Sequence, residues 1–150
     1  MARNNFSQTT SAPVALVAAV IKTVLELTGG ASIITAVTGC DVTFDGVTNT
    51  AIPVIVQIQR MGASGTGTTR NPLKTKDTST NLLSTGKENL SVEGAAPGNI
   101  MRIFHVHPQA GVIYQIPMRD EIEISTATVI AVRVTAPAAV NCLATLHGEE

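Results

Sequence analysis

Tryptophan is absent and aromatic rings are few: Phe6, Phe44, Phe104 and Tyr114 make up 3% of the 150 residues. Carbohydrate sites and single-strand nucleic-acid sites lean on stacked rings, so both classes lose their usual platform here. Charge is scarce as well. Charged residues are 14% of the chain, against roughly 25% in an average globular protein. Ten Lys and Arg stand against eleven Asp and Glu, which leaves no basic footprint for nucleic acid. It also leaves little self-repulsion, so the surface tolerates close contact with other protein. Long apolar runs are missing too. The stretch from Val14 to Val20 falls far short of the ~20 residues that span a bilayer, and Lys22 and Glu26 interrupt its continuation. No membrane partner is expected. The start, MARNNFSQTT, lacks the basic-then-apolar order of a signal peptide, so a cytoplasm that keeps thiols reduced is the expected site of synthesis.

Only two cysteines are present, Cys40 and Cys142, which is no disulfide framework. One bridge between them is geometrically open. Their apolar strand surroundings favour buried free thiols.

What the chain does have is Val, Ile, Leu and Ala, with hydrophobic residues at 44%. The β-branched ones are stiff and suit a pleated sheet. A chain of this length fits one domain of about 100–150 residues and can bury its own core. Residues 1–12 are polar and without period, and read as an N-terminal arm, extended or disordered. The single β domain is expected over 13–150. Residues 13–28 support two readings. Val14, Val17, Ile21, Val24 and Leu25 match helical spacing, with Ser11 to cap and Gly29-Gly30 to end it. On a strand, Ile21, Leu25 and Leu27 share one face and Lys22 and Glu26 the other.

Past Ile33 the period is two. Cys40, Val42 and Phe44 alternate with Asp41 and Thr43 before an Asp45-Gly46 turn. Val54, Val56 and Ile58 alternate with Gln57 and Gln59, opened by Pro53. Residues 62–81 read as a long Gly/Thr/Ser-rich loop with a small basic cluster, Arg70, Lys74 and Lys76. A weaker strand is expected around 89–93. IMRIFHVH is apolar on both faces, as at the centre of a sandwich. Val112, Tyr114 and Ile116 follow, then Ile122 and Ile124. The runs Ile130–Val134 and Val140–Leu146, separated by Ala136-Pro137-Ala138, read as a hairpin. Seven or eight short strands with regular turns define an all-β chain, a jelly-roll-like antiparallel sandwich.

Catalytic signals are thin. His105 and His107 at i and i+2 could aim both imidazoles at one metal, with Asp120, Glu121 or Glu123 arriving from a neighbouring strand. That spacing resembles the cupins, yet Pro108-Gln109 stand where the cupin motif continues towards a glutamate, and the structural reading prevails. Gly62–Gly67 lacks the Gly-Lys-Ser/Thr of a phosphate loop. No Ser or Cys sits in a nucleophile elbow. Glu121 and Glu123 read as an exposed polar face. No catalytic residue, metal or cofactor is expected.

The order of features resembles the small jelly-roll capsid decoration (cement) proteins of tailed bacteriophages. The residues that carry this are Lys22–Leu27, Val42–Val47, Val54–Arg60, Val106–Gly111 and Arg133–Asn141. The resemblance spans most of the chain from about residue 12, and departs from the family at Gly29-Gly30 and in the Gly/Thr loop. It implies strand over 13–28, no enzymatic activity, and a virion protein on the outer capsid surface. It further implies two partners, the major capsid protein and the chain itself as a homodimer or homotrimer. Asn4, Asn5 and Phe6 of the arm, with Arg70, Lys74 and Lys76 of the loop, are the expected contacts to shell or subunit. A tail- or fibre-associated β domain is the alternative structural role.

Overall fold

The computed structural model describes residues 4–46, 52–76, 81–95 and 97–150, and no helix occurs among them. The strands are β1 (Asn5–Thr9), β2 (Val14–Leu16), β3 (Ile21–Thr28), β4 (Thr35–Phe44), β5 (Val54–Met61), β6 (Thr66–Thr69) and β7 (Leu73–Lys74). They continue as β8 (Thr85–Val92), β9 (Pro97–Val106), β10 (Gly111–Gln115), β11 (Ile122–Ile124), β12 (Val129–Thr135) and β13 (Val140–Glu149). Two antiparallel sheets result. Sheet A runs β10-β4-β13-β1-β7, with β11 also on β4 and β2 also on β13; sheet B runs β6-β8-β3-β12-β5-β9.

The pairing is nested. β2 joins β13, β3 joins β12, β4 joins β10 and β11, and β5 joins β9. Successive partners lie ever closer in sequence, as when one long hairpin is rolled so that its strands alternate between two sheets. That is jelly-roll order. Segment 13–28 therefore carries β2 and β3: residues whose spacing alone fits a helix slightly better are pulled into strand by ladders to β13 and β12.

The core lies between the inner faces, where Leu25, Leu27, Val42, Val56, Ile58, Ile130, Val132, Val134 and Leu146 are fully buried. One irregularity matters. A bulge skips Val24, so Leu25 opposes Val132 but Thr23 opposes Arg133. Leu25, Leu27 and Glu26 keep their expected faces. Beyond the bulge the faces exchange, and Ile21 lies beside Thr135 while Lys22 lies beside core Val134. Lys22 reaches the end of the core and donates to the Leu90 carbonyl.

Four expectations are corrected. Residues 5–9 are no free arm. They form β1 between β13 and β7, with Phe6 at 1% exposure, and the ring fits because Gly148 opposite has no side chain. Of the expected loop at 62–81, residues 77–80 lie outside the described residues, and 62–76 are no open loop. β6 extends sheet B on β8 and β7 extends sheet A on β1, so the insertion straps one side of the sandwich. β9 is an edge strand and not a central one, and Ile100 and Ile103 are about half exposed. Lastly, β12 and β13 are not a hairpin; the Ala136–Ala139 break carries the chain from sheet B to sheet A.

Candidate interaction surface

The outer face of sheet A is a weakly charged surface. Its strands carry Asp41, Glu149, Lys74 and, on β11, Glu123 as formal charges, beside His147. Alternation points Cys40, Val42, Cys142, Ala144 and Leu146 inward. Thr43, Thr145, Thr9 and Ser7 fall between them and look outward. Ile113 on β10 is 76% exposed, Leu143 on β13 41%, and Leu73 on β7 65%. Ile113 sits opposite Asp41 and Leu143 opposite Thr43, so the two apolar side chains lie diagonally across β4.

Beside Ile113 lies a hollow of about 490 Å³, bounded by Thr38, Gly39, Asp41, Ile113, Gln115, Ile116 and His147. Gly39 lies on its wall, where a Cβ would come within 3.0 Å of the Tyr114 carbonyl oxygen. On its wall His147 Nε2 lies 2.8 Å from Asp41 Oδ2, both partly exposed. Sequence reasoning passed over this pair. Asp41 and His147 are far apart in the chain, and only the β4–β13 register, which sets His147 against Gly39, places them together.

The expected contact residues gather at the far edge of the same sheet. Asn4 exchanges backbone hydrogen bonds with Glu150, at 2.8 and 3.1 Å. Asn5 is exposed beside Glu149, and its carbonyl accepts from Thr75. Lys74 pairs with Phe6 through β7, exposed Lys76 follows, and Arg70 donates its Nε to the Thr9 carbonyl at 2.5 Å. Residues from the two ends of the first half of the chain thus form one edge of mixed charge, with Lys74 and Lys76 near Glu149 and Glu150. Phe6 alone is misplaced as a contact, because its ring is in the core.

His105 and His107 are exposed near the end of β9, and His107 Nδ1 accepts from the Gln109 amide at 3.2 Å. Among the described residues no three His, Cys, Asp or Glu side chains gather as a metal would require, so Asp120, Glu121 and Glu123 do not join the two histidines. Glu123 is exposed and Glu121 half-buried; both line a cleft with Arg60, Arg102 and Arg119. Cys40 and Cys142 are buried free thiols. They face the same core from β4 and β13 but stand four register positions apart, too far to bridge.

Sheet B is sealed differently. The bulge at Val24 frees the Thr23 amide, and Glu93 accepts from it at 2.9 Å, accepts from the Thr23 hydroxyl and pairs with Arg133 at 3.4 Å. Nearby, the turn after β5 lays Ser64 and the Gly65 amide on buried Glu26, and Lys87 ties down the same turn. Polar groups on this face are thus committed to each other. Compared with known proteins, the chain matches no family model, no curated protein and no solved structure.

Proposed function

We propose that this chain is a structural virion protein that docks on the outer surface of a tailed-phage capsid through the outer face of sheet A, bridging neighbouring capsomers. The observation that carries the reading is that face itself: broad, nearly uncharged, with Ile113, Leu143 and Leu73 exposed among small hydroxyl side chains. Such composition suits an interface, whose fully buried centre is depleted in charge. The resemblance to capsid decoration proteins supplies the partner, the major capsid protein. The Asn5–Lys74–Lys76 edge, beside Glu149, puts mixed charge at the rim, where it affects encounter more than affinity. The role is contact area and symmetry match, and it requires no reaction, nucleic acid or membrane.

Purified protein added to phage heads that lack it should co-sediment with them in saturable amounts. Replacing Ile113 and Leu143 by Asp should abolish co-sedimentation while leaving the circular dichroism spectrum unchanged. Retained binding by that variant removes the face from the proposal. Binding to tails and not to heads transfers the same surface to a tail- or fibre-associated role.

A further inference from the structure

We infer that the protein holds a binding pocket for a small apolar molecule bearing one ammonium group, at the end of the sandwich where Asp45 and Asn141 meet. None of Ile113, Leu143 and Leu73 lines this pocket, so it goes beyond the proposed docking face and does not rest on it.

Five strand ends meet there. β2 ends at Leu16, β4 runs out into Asp45 and Gly46, and β5 begins at Val54. β9 runs out into Pro108, and β13 begins at Val140. Between them the fold leaves a pocket of about 400 Å³, the size of an ordinary ligand site. Leu16 and Val54, both buried members of the core, line it together with Pro108, Pro137 and Val140. An apolar body seated against them leaves water as a core side chain does, and that transfer supplies the attraction. A lysine side chain is slender for this volume, which suits a free molecule with an aryl or alicyclic body.

The walls are in place before any ligand arrives. Asp45 accepts from the Asn141 amide at 2.8 Å and from its side-chain nitrogen at 2.7 Å. The Asp45 amide donates in turn to the Asn141 carbonyl at 3.2 Å, which clasps the end of β4 to the start of β13. Gly46 packs so closely on the end of β9 that a Cβ would stand 2.6 Å from the Pro108 carbonyl oxygen. The Ala19 amide donates to the Ala136 carbonyl at 2.8 Å and fixes the chain as it enters Pro137. Both prolines have φ locked by their rings. Preorganised walls of this kind cost little to order on binding.

The head group follows from charge. Asp45 is the one formal charge among the described lining residues, and its partner Asn141 is neutral, so nothing in the pocket cancels it. Hydrogen bonds from the Asn141 side chain and backbone hold the Asp45 carboxyl below the usual carboxylate range, and it is ionised at neutral pH. A carboxylate offers about four acceptor positions, of which the two Asn141 donors occupy two. An ammonium answers both the charge and the remaining acceptors. An anion is repelled, and a neutral molecule gains the apolar contact alone.

The test uses full-length protein and phenylbutylamine, compared with phenylbutanol, phenylbutyrate and an acetylated lysine amide, followed by backbone amide shifts in NMR spectra at neutral pH. The amine should shift Gly46, Val54, Ala138 and Val140 saturably. The alcohol and the lysine derivative should bind about tenfold more weakly or worse, and phenylbutyrate not at all. Asp45→Asn, whose side chain still has an oxygen to accept from Asn141, should reduce the amine to the alcohol's affinity and leave the alcohol unchanged. Ala139→Phe, at an exposed lining position, should fill the pocket and abolish binding of both. The unshifted remainder of each spectrum checks that the variant is folded. Absent shifts, shifts confined to other residues, or a comparison compound that binds as well as the amine would each overturn the inference. So would an Asp45→Asn protein that keeps its preference for the amine, or an Ala139→Phe protein that binds as before. Co-sedimentation with heads is decided separately, by the Ile113 and Leu143 variant.

Discussion

Phe6 and Gly148 show how one residue's absence makes room for another's presence. A Cβ at Gly148 would collide with the far edge of the Phe6 ring, and one at Gly86 would collide with the Gln8 amide. Gln8 needs that space because its Nε2 crosses from sheet A to the carbonyls of Glu26 and Arg70, at 2.9 and 2.8 Å. Phe6→Ala should therefore lower stability by about 3–5 kcal/mol, the usual range for emptying a core aromatic site. A chemical-denaturation shift below about 1 kcal/mol would contradict the burial argument. The two thiols make a second prediction. Burial pushes Cys142 up to about 12 and Cys40 further, the latter with help from neighbouring Asp41. An unfolded thiol ionises near pH 8.5, so the stability that depends on neutral thiols is intact below that value. It is lost progressively as pH rises from there through about 12. Cys40→Ala with Cys142→Ala should flatten that alkaline decline in melting temperature, and an unchanged slope would assign the decline to other groups.

At the scale of the element, β1 decides more than its polar sequence suggests. It lies between β13 and β7, contributes Phe6 to the core and Gln8 to the contact between sheets, and receives Arg70 on its Thr9 carbonyl. Deleting residues 1–12 should abolish the cooperative thermal transition, because it exposes β13 and empties a large core site at once. A truncated chain that melts as the full one does would show β1 to be dispensable. The insertion that carries β6, β7 and β8 makes the complementary point. Glycine- and threonine-rich composition marks a segment without an apolar face of its own, and the strands there exist because β8 offers a ladder to β6 and β1 offers one to β7. Such short, borrowed strands also cover sheet edges that would otherwise invite aggregation.

For the whole molecule, nesting sets the kinetics. Asn5 pairs with Glu149 and Val14 with Cys142, so sheet A cannot close until both ends of the chain meet. Contacts of this separation demand loop closure before they return any stabilisation. Refolding from denaturant should accordingly take milliseconds to seconds or longer. Stopped-flow fluorescence of Tyr114 provides the measurement, and complete refolding within microseconds would contradict the topology. The same topology leaves β9 and β10 as edges on one side while the insertion covers the other, so the molecule has one strapped flank and one open flank. The mixed-charge cleft lies on the open one.

The sequence by itself determined that this is an all-β chain, where most strands lie, and most of the side chains that line the core. Period-two alternation such as Val54-Val56-Ile58 or Ile130-Val132-Val134 is a local property, and the burial of one face enforces it whatever the partners are. Tertiary structure alone decided the rest. No local signal says that β12 crosses to the opposite sheet from β13, or that the apolar β9 ends at an edge. A polar five-residue segment becomes β1 only because β13, more than a hundred residues away, holds a glycine where Phe6 needs space. The proposed interaction surface belongs to the same class. Its outward-facing Thr and Ser residues read singly as an unremarkable polar face. Its Asp41–His147 pair and its convergent Asn5–Lys74 edge exist only in the register, because hydrogen-bonded ladders bring together residues that the linear chain keeps far apart.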